Sequence, residues 1–257
     1  MTPTVGNRSA GRVGRPLLER SRELGEGWAQ PAAPRTDDAA SAGRVRYAPW
    51  ALAAFALLAL GDLAGVAAGS DLAHTLLKPL LMPTLALYVA FRGGPRLLTA
   101  ALLLGWGGDT LLLADADPAF LAGMASFAAG HVCYLTLFRR QGTAHTRARG
   151  AGLVLAYGAA LGVTVALLWP DLPPDMRVPV AGYSLLLTAM AGGATTLGPA
   201  AAAGGALFLL SDTLIATDVA DWPQAPRPDF WIMLTYLAAQ ALLVRGVLTS
   251  GSAAARR

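Results

Sequence analysis

Three carboxylates, a histidine and the only lysine of the chain lie where water should be scarce. Asp62 follows the run AFALLAL, Lys78 sits within Leu76-Leu77-Lys78-Pro79-Leu80-Leu81-Met82, Asp109 is set in LLLGWGGDTLLL, His131 in ASFAAGHVCYL and Asp212 in ALFLLSDTLIA. Ionisable groups in such surroundings are costly, so they pair with one another and mark functional cavities. Their types suit proton chemistry. One ammonium set against up to three carboxylates leaves at least one carboxyl free to keep its proton and donate it, while another acts as a base and the imidazole passes protons.

The elements that must hold these residues are apolar blocks about 20 residues long. The 257-residue chain has a mean hydropathy of +0.48, is 54% hydrophobic and carries charge on only 14% of its residues. A helix rises about 1.5 Å per residue and a bilayer core is about 30 Å thick, so each block is long enough to cross once. Eight blocks are expected near residues 48–68, 72–91, 95–114, 118–138, 150–169, 178–197, 199–218 and 230–249. The sixth, rich in glycine and threonine, is the weakest, and a count of seven stays open. The expected fold class is therefore all-α, a polytopic membrane bundle of about eight transmembrane helices.

Arginine placement supports that drawing, because lysine and arginine gather in cytoplasmic loops. Eight arginines precede the first block; Arg92 and Arg96 fall between blocks two and three; Arg139, Arg140, Arg147 and Arg149 lie between four and five; and Arg245, Arg256 and Arg257 mark the end of the chain. All fall on one side, which predicts that both termini are cytoplasmic. The other side holds only Arg177 and Arg227 beside Asp71, Asp115, Asp117, Asp171, Asp175, Asp218, Asp221 and Asp229. The net charge of +4 follows from this asymmetry and does not point to nucleic acid. Residues 1–45 read as a disordered basic cytoplasmic tail, 46–250 as the membrane domain and 251–257 as a short cytoplasmic tail. About 47 largely polar residues precede the first block, so no signal peptide is expected and the first span itself directs insertion. A bacterial-type inner (plasma) membrane is the expected location.

Cys133 is the only cysteine and lies within a span, so cysteine usage says nothing about redox compartment. The sequence has no CxxC, GxxxxGK[ST] or HExxH pattern and no convincing internal repeat. His74 and His145 are expected in loops, which leaves His131 alone in a span. No metal or other cofactor is expected.

Position along each span translates into depth. Lys78 lies about six residues into an inward-running helix, Asp109 about five and Asp212 about six from the outward ends of theirs, so all three share a layer some 8–10 Å beneath the non-cytoplasmic surface. Asp62 belongs to the same outer half. Tyr236 falls at a similar level, Gln240 one turn deeper on the same face, and His131 near the midplane. Plainer readings stand beside these. Lys78 has a stem long enough to snorkel to the head groups. Asp62 stands close enough to a helix end to be solvated there. Ser211 has the usual option of bonding the carbonyl four residues earlier. Asp117-Pro118 and Asp229 read as helix starts. Trp106, Phe127, Tyr134 and Trp231 read more readily as packing or interfacial aromatics.

The ordered set Lys78-Pro79-Leu80, Gly108-Asp109, Phe120-x-x-Gly123-x-x-x-Phe127-x-x-x-His131-x-x-Tyr134, Phe208-x-x-Ser211-Asp212 and Tyr236-x-x-x-Gln240 resembles the YhhN-like lysoplasmalogenase family over roughly residues 50–248. The resemblance lies in order and placement on successive spans, not in any one piece. It implies an eight-span membrane hydrolase acting on a lysophospholipid within membrane lipid. The bond cleaved is the vinyl ether of lysoplasmalogens or a related lysolipid, and the products are a fatty aldehyde and glycerophospho-ethanolamine or glycerophospho-choline. Under that implication Asp109, Asp212 and His131 are the catalytic residues. Lys78, Ser211, Tyr236, Gln240, Tyr134 and Asp62 contact substrate or water, with Lys78 either keeping a carboxylate ionised or meeting the phosphate. Which carboxyl is the acid stays open.

A small-molecule or proton-coupled transporter is the rival reading, because buried Asp, Lys and His also build relays. It predicts flux in sealed vesicles without chemical change, whereas the hydrolase predicts aldehyde release in detergent. A purely structural membrane scaffold would tolerate Asp109→Asn and Asp212→Asn.

Overall fold

The computed structural model describes residues 43, 45–114 and 116–254. The expected tail over residues 1–45 therefore lies, save for Gly43 and Val45, outside the described residues, as do Asp115 and residues 255–257. Among the described residues there are eight α-helices, one 3-10 turn and no strand. The helices are α1 (Ala48–Ala68), α2 (Asp71–Phe91), α3 (Arg96–Leu111), α4 (Asp117–Gln141), α5 (Arg147–Leu168), α6 (Arg177–Ala194), α7 (Pro199–Val219) and α8 (Pro228–Ala254).

Each expected block is a helix, and seven of the eight are long and apolar enough to cross a membrane. The exception is not the sixth block but the third. At 16 residues, α3 rises only about 24 Å, less than a hydrocarbon core. The sixth block folds as a full helix, and its threonines explain why its end looked weak. Thr195 and Thr196 turn their hydroxyls back to the carbonyls of Gly192 (2.6 Å) and Gly193 (2.7 Å) as the chain tightens into the 3-10 turn Thr195–Leu197. The same turn holds the α4–α5 connection: His145 Nε2 meets the Thr195 hydroxyl at 2.8 Å, and the Thr143 N–H donates to the Thr196 carbonyl at 3.0 Å. Gly198 then takes φ 103°, a conformation that favours glycine, and Pro199 opens α7.

Neighbouring helices pack in chain order from α1 to α4. α4 then packs on α6, α6 on α7 and α7 on α8, and α8 reaches back to α1, so seven helices close a ring. α5 stands outside the ring against α6, with Leu168 its one buried residue. The core runs through the ring and includes Leu81, Met82, Leu85, Leu98, Leu102, Tyr134, Met190, Phe208, Leu243 and Val247. Two faces result. One carries the arginine-bearing connections α2–α3 and α4–α5, the other the connections α1–α2, α3–α4, α5–α6 and α7–α8 with their aspartates. They are called the arginine face and the acidic face below. His74, expected in a loop, lies in the first turn of α2, because Ser70 caps that helix by accepting the Ala73 N–H at 3.3 Å and starts it ahead of the histidine.

Candidate active site

The site is assembled where α3, α4, α6, α7 and α8 meet. Asp109 approaches it through glycines. A Cβ built on Gly108 would lie 2.4 Å from the ring of Phe127, and one on Gly105 would lie 3.3 Å from the Tyr236 hydroxyl. Only a bare backbone lets α3 settle against α4 and α8 at this level. Asp109 is 3% exposed and accepts a hydrogen bond at Oδ2 from Tyr236 (2.8 Å). The chain of donors behind it has one direction. Tyr134 donates to Gln240 Oε1 at 2.7 Å, and Gln240 Nε2 donates to the Tyr236 oxygen at 3.2 Å, which commits the Tyr236 proton to Asp109. Tyr134, Tyr236 and Gln240 thus form a buried wire ending on one carboxylate.

A second network holds Asp212. The Tyr183 hydroxyl donates to Asp212 Oδ2, and the Tyr183 oxygen itself lies 3.0 Å from His131 Nε2. Two proton arrangements satisfy this geometry. In one, His131 Nε2–H donates to Tyr183, which donates to Asp212. In the other, a protonated Asp212 donates to Tyr183, which donates to His131. His131 is buried and its Nδ1 has no partner, so the imidazole is held from one side only. Asp109 and Asp212 are close enough to act on each other's charge. Between the networks stands an aromatic wall in which Phe208 packs edge-on against Tyr236 (5.4 Å) and His131 (4.9 Å), and Phe127 packs on both Phe208 and Tyr236.

Asp212, Tyr183 and Phe127 open on a cleft bounded by α4, α5, α6 and α7, with about 840 Å³ of space including its mouth. The rest of its wall is mainly apolar, with Leu112, Met124, Leu187 and Leu209 among its residues.

Of the residues expected at a site, the structure brings Asp109, Asp212, His131, Tyr134, Tyr236 and Gln240 into these two adjoining networks. Three others sit elsewhere. Asp62 is fully buried but pairs with His74, Oδ1 to Nδ1 at 2.9 Å, beside the site and within electrostatic reach of Asp109. Ser211 does not bond back along its own helix; its hydroxyl donates across to the Ile232 carbonyl at 3.1 Å and ties α7 to α8. Lys78 is half-buried and near Asp109, but it lines a separate vestibule at the acidic face and forms no ion pair or hydrogen bond with a described residue. Tyr183 was missed altogether. It stands six residues into α6, the same depth that singled out Lys78 and Asp212, so the depth rule contained the signal.

No group of three or more His, Cys, Asp or Glu able to hold a metal ion occurs among the described residues. Fold and site together define a multi-pass helical membrane protein with an acid–imidazole network facing an apolar cleft. The family model of the YhhN family matches residues 73–247, and the chain belongs to that family. It is 38% identical over 158 residues to lysoplasmalogenase TMEM86B of Homo sapiens, a match covering 62% of this chain and 66% of the human protein. It is 35% identical over 175 residues to lysoplasmalogenase TMEM86B of Sus scrofa, covering 66% and 74%. A lysoplasmalogenase of Mycobacterium tuberculosis is 34% identical over 173 residues, covering 57% and 64%. The chain thus spans from just under two thirds to about three quarters of the length of these relatives. No solved structure matches it.

Proposed function

We propose that the chain is a membrane hydrolase that cleaves the vinyl ether of lysoplasmalogens, with Asp212 as the acid. The observation that carries this assignment is the Asp212–Tyr183–His131 relay opening on an apolar cleft. Asp109 does not line that cleft, and its Oδ2 is already engaged by a donor. The names of the relatives support hydrolysis over transport.

The reaction consumes one water and needs no oxidant. The alkenyl chain lies in the cleft, and Asp212 transfers its proton to the alkene carbon remote from oxygen. That leaves an oxocarbenium ion at the carbon bearing the ether oxygen. The cation forms beside the Phe127 ring and near the Asp109 carboxylate, both of which stabilise positive charge. Water adds to this carbon and gives up a proton to the newly ionised Asp212, a step that forms a hemiacetal and restores the acid. Collapse of the hemiacetal breaks the bond to the glycerol oxygen, which takes a proton from Asp212 while the hemiacetal hydroxyl gives its own proton back to that carboxylate, and releases the aldehyde. Tyr183 and His131 orient the Asp212 carboxyl through these steps, with Tyr183 bridging the two. Tyr134, Gln240 and Tyr236 keep Asp109 oriented as an acceptor.

Asp62, Ser211 and His74 position the helices that carry these groups. The arginine face is assigned to the cytoplasm, with both termini on that side, and the membrane to a bacterial-type inner (plasma) membrane. The arginine asymmetry supports the orientation. Purified protein in detergent, given a 1-alkenyl-glycerophosphoethanolamine, should release fatty aldehyde and glycerophosphoethanolamine in equal amounts. Transport of the lipid across sealed vesicles with no aldehyde formed would replace this reading with the rival one.

A further inference from the structure

We infer that the vestibule at the acidic face is the head-group subsite of this hydrolase, with Lys78 receiving the phosphodiester. The inference rests on the hydrolase reading above and deepens it.

The vestibule and the apolar cleft are neighbours that share wall residues, with Leu112, Phe120, Ile215 and Val219 lining both. Their chemistry differs. The cleft is mainly apolar, whereas the vestibule presents Lys78 together with Asp117, Asp218 and Asp229. This juxtaposition matches the molecule to be bound. In a lysoplasmalogen the ether oxygen and the phosphate sit on the two ends of one three-carbon glycerol. A phosphate site must therefore adjoin the place where the vinyl ether is cleaved, on the side away from the alkenyl chain.

Lys78 is free for this role. A lysine that only snorkelled would extend its ammonium to the head-group layer away from the site; this one lines a cavity walled by the α3–α4 and α5–α6 connections together with α4, α7 and α8, and that cavity adjoins the cleft. No ion pair or hydrogen bond ties Lys78 to a described carboxylate; it acts on Asp109 only through space, which leaves its donors available. It is also the only lysine in the chain and the only cation among the described residues lining the vestibule. An ammonium on a flexible stem is a standard phosphate partner. The carboxylates around it disfavour a free phosphate, which brings only negative charge. They suit a head group that carries its own ammonium, as ethanolamine and choline do.

The test compares two substrates with the same alkenyl chain, 1-alkenyl-glycerophosphoethanolamine and 1-alkenylglycerol, which lacks the phosphate. Aldehyde release by purified wild type and Lys78→Gln is measured in detergent. Loss of a charged hydrogen bond should raise KM for the phospholipid about 10- to 100-fold with kcat within about two-fold, and leave KM for the alkenylglycerol within about two-fold. Lys78→Arg should restore much of the phospholipid KM. Equal losses on both substrates by a monodisperse variant, or a fall in kcat on both, would mean that Lys78 acts on Asp109 or on the fold and would overturn the inference. So would an unchanged phospholipid KM.

Competition against alkenylglycerol hydrolysis separates the sources of phosphate. Glycerophosphoethanolamine should inhibit wild type and lose potency against Lys78→Gln. Inorganic phosphate acting as strongly as the diester would overturn the head-group assignment. A wild type that cleaves both substrates while Lys78 is indifferent ends this inference alone. A wild type that cleaves neither ends the hydrolase reading and this inference with it.

Discussion

A tyrosine hydroxyl has one proton and two lone pairs, so Tyr183 donates to one of Asp212 and His131 while it accepts from the other, and a proton can pass between them along that bridge. Tyr183→Phe is accordingly expected to lower kcat for aldehyde release about 10- to 100-fold with little change in KM, less than the roughly 10²- to 10⁴-fold of a group that itself transfers the proton. Combining it with His131→Gln should cost no more than the worse single variant, because both interrupt one relay; multiplied losses in a kinetic double-mutant cycle would show two independent roles. Ser211→Ala belongs to a different category. It removes a bond between α7 and α8, so thermal unfolding should show a loss of about 0.5–1.5 kcal/mol while kcat holds. At this scale the sequence was a good guide to groups whose burial is costly. Asp109, Asp212 and His131 stand out because charge and imidazole rarely enter apolar segments. Tyr183 did not, because a tyrosine in a span is ordinary packing until its partner is known. The partner of Ser211 is a backbone carbonyl on another helix, and a carbonyl leaves no mark in a sequence.

Helix α3 is the element on which the site turns. It is the shortest of the eight, and its Gly105, Gly108 and Asp109 share one side, so the same close approach that buries the carboxylate also fixes Phe127 and Tyr236 around it. Gly108→Ala places a methyl 2.4 Å from an aromatic ring with packed neighbours. Overpacking of this kind costs about 1–3 kcal/mol, and here it should displace Phe127 and depress both thermal stability and kcat. Stability and activity equal to wild type would mean that the α3–α4 contact is looser than described. Span positions were legible because an apolar block near 20 residues has few other uses. The brevity of α3 was hidden, since the apolar Leu111-Leu112-Leu113 prolongs the block past the last helical turn. The threonines that made the sixth block look weak act instead as hydroxyl caps and as a clamp on the α4–α5 loop.

For the molecule as a whole, a ring of seven helices with α5 outside it leaves the cleft bounded on one side by a helix that makes few inward contacts. Under the proposed function, an alkenyl chain drawn from the bilayer would enter beside that helix. The orientation of the ring is testable apart from its chemistry. In a Cys133→Ala background, Ala225→Cys in the α7–α8 connection should react with a membrane-impermeant maleimide on intact cells, and Ala144→Cys in the α4–α5 connection only after lysis. The reverse pattern would invert the topology read from the arginines. The ring closure of α8 on α1 was not legible, because the identity of helix neighbours beyond chain order depends on side-chain fit and not on hydropathy. The central claim is tested most directly by incubating purified protein with 1-alkenyl-glycerophosphoethanolamine and measuring fatty aldehyde. Wild type should release it in equal amount to glycerophosphoethanolamine, and folded Asp212→Asn should fall by at least about 100-fold. Undiminished release by that variant, or none from folded wild type, would contradict the account.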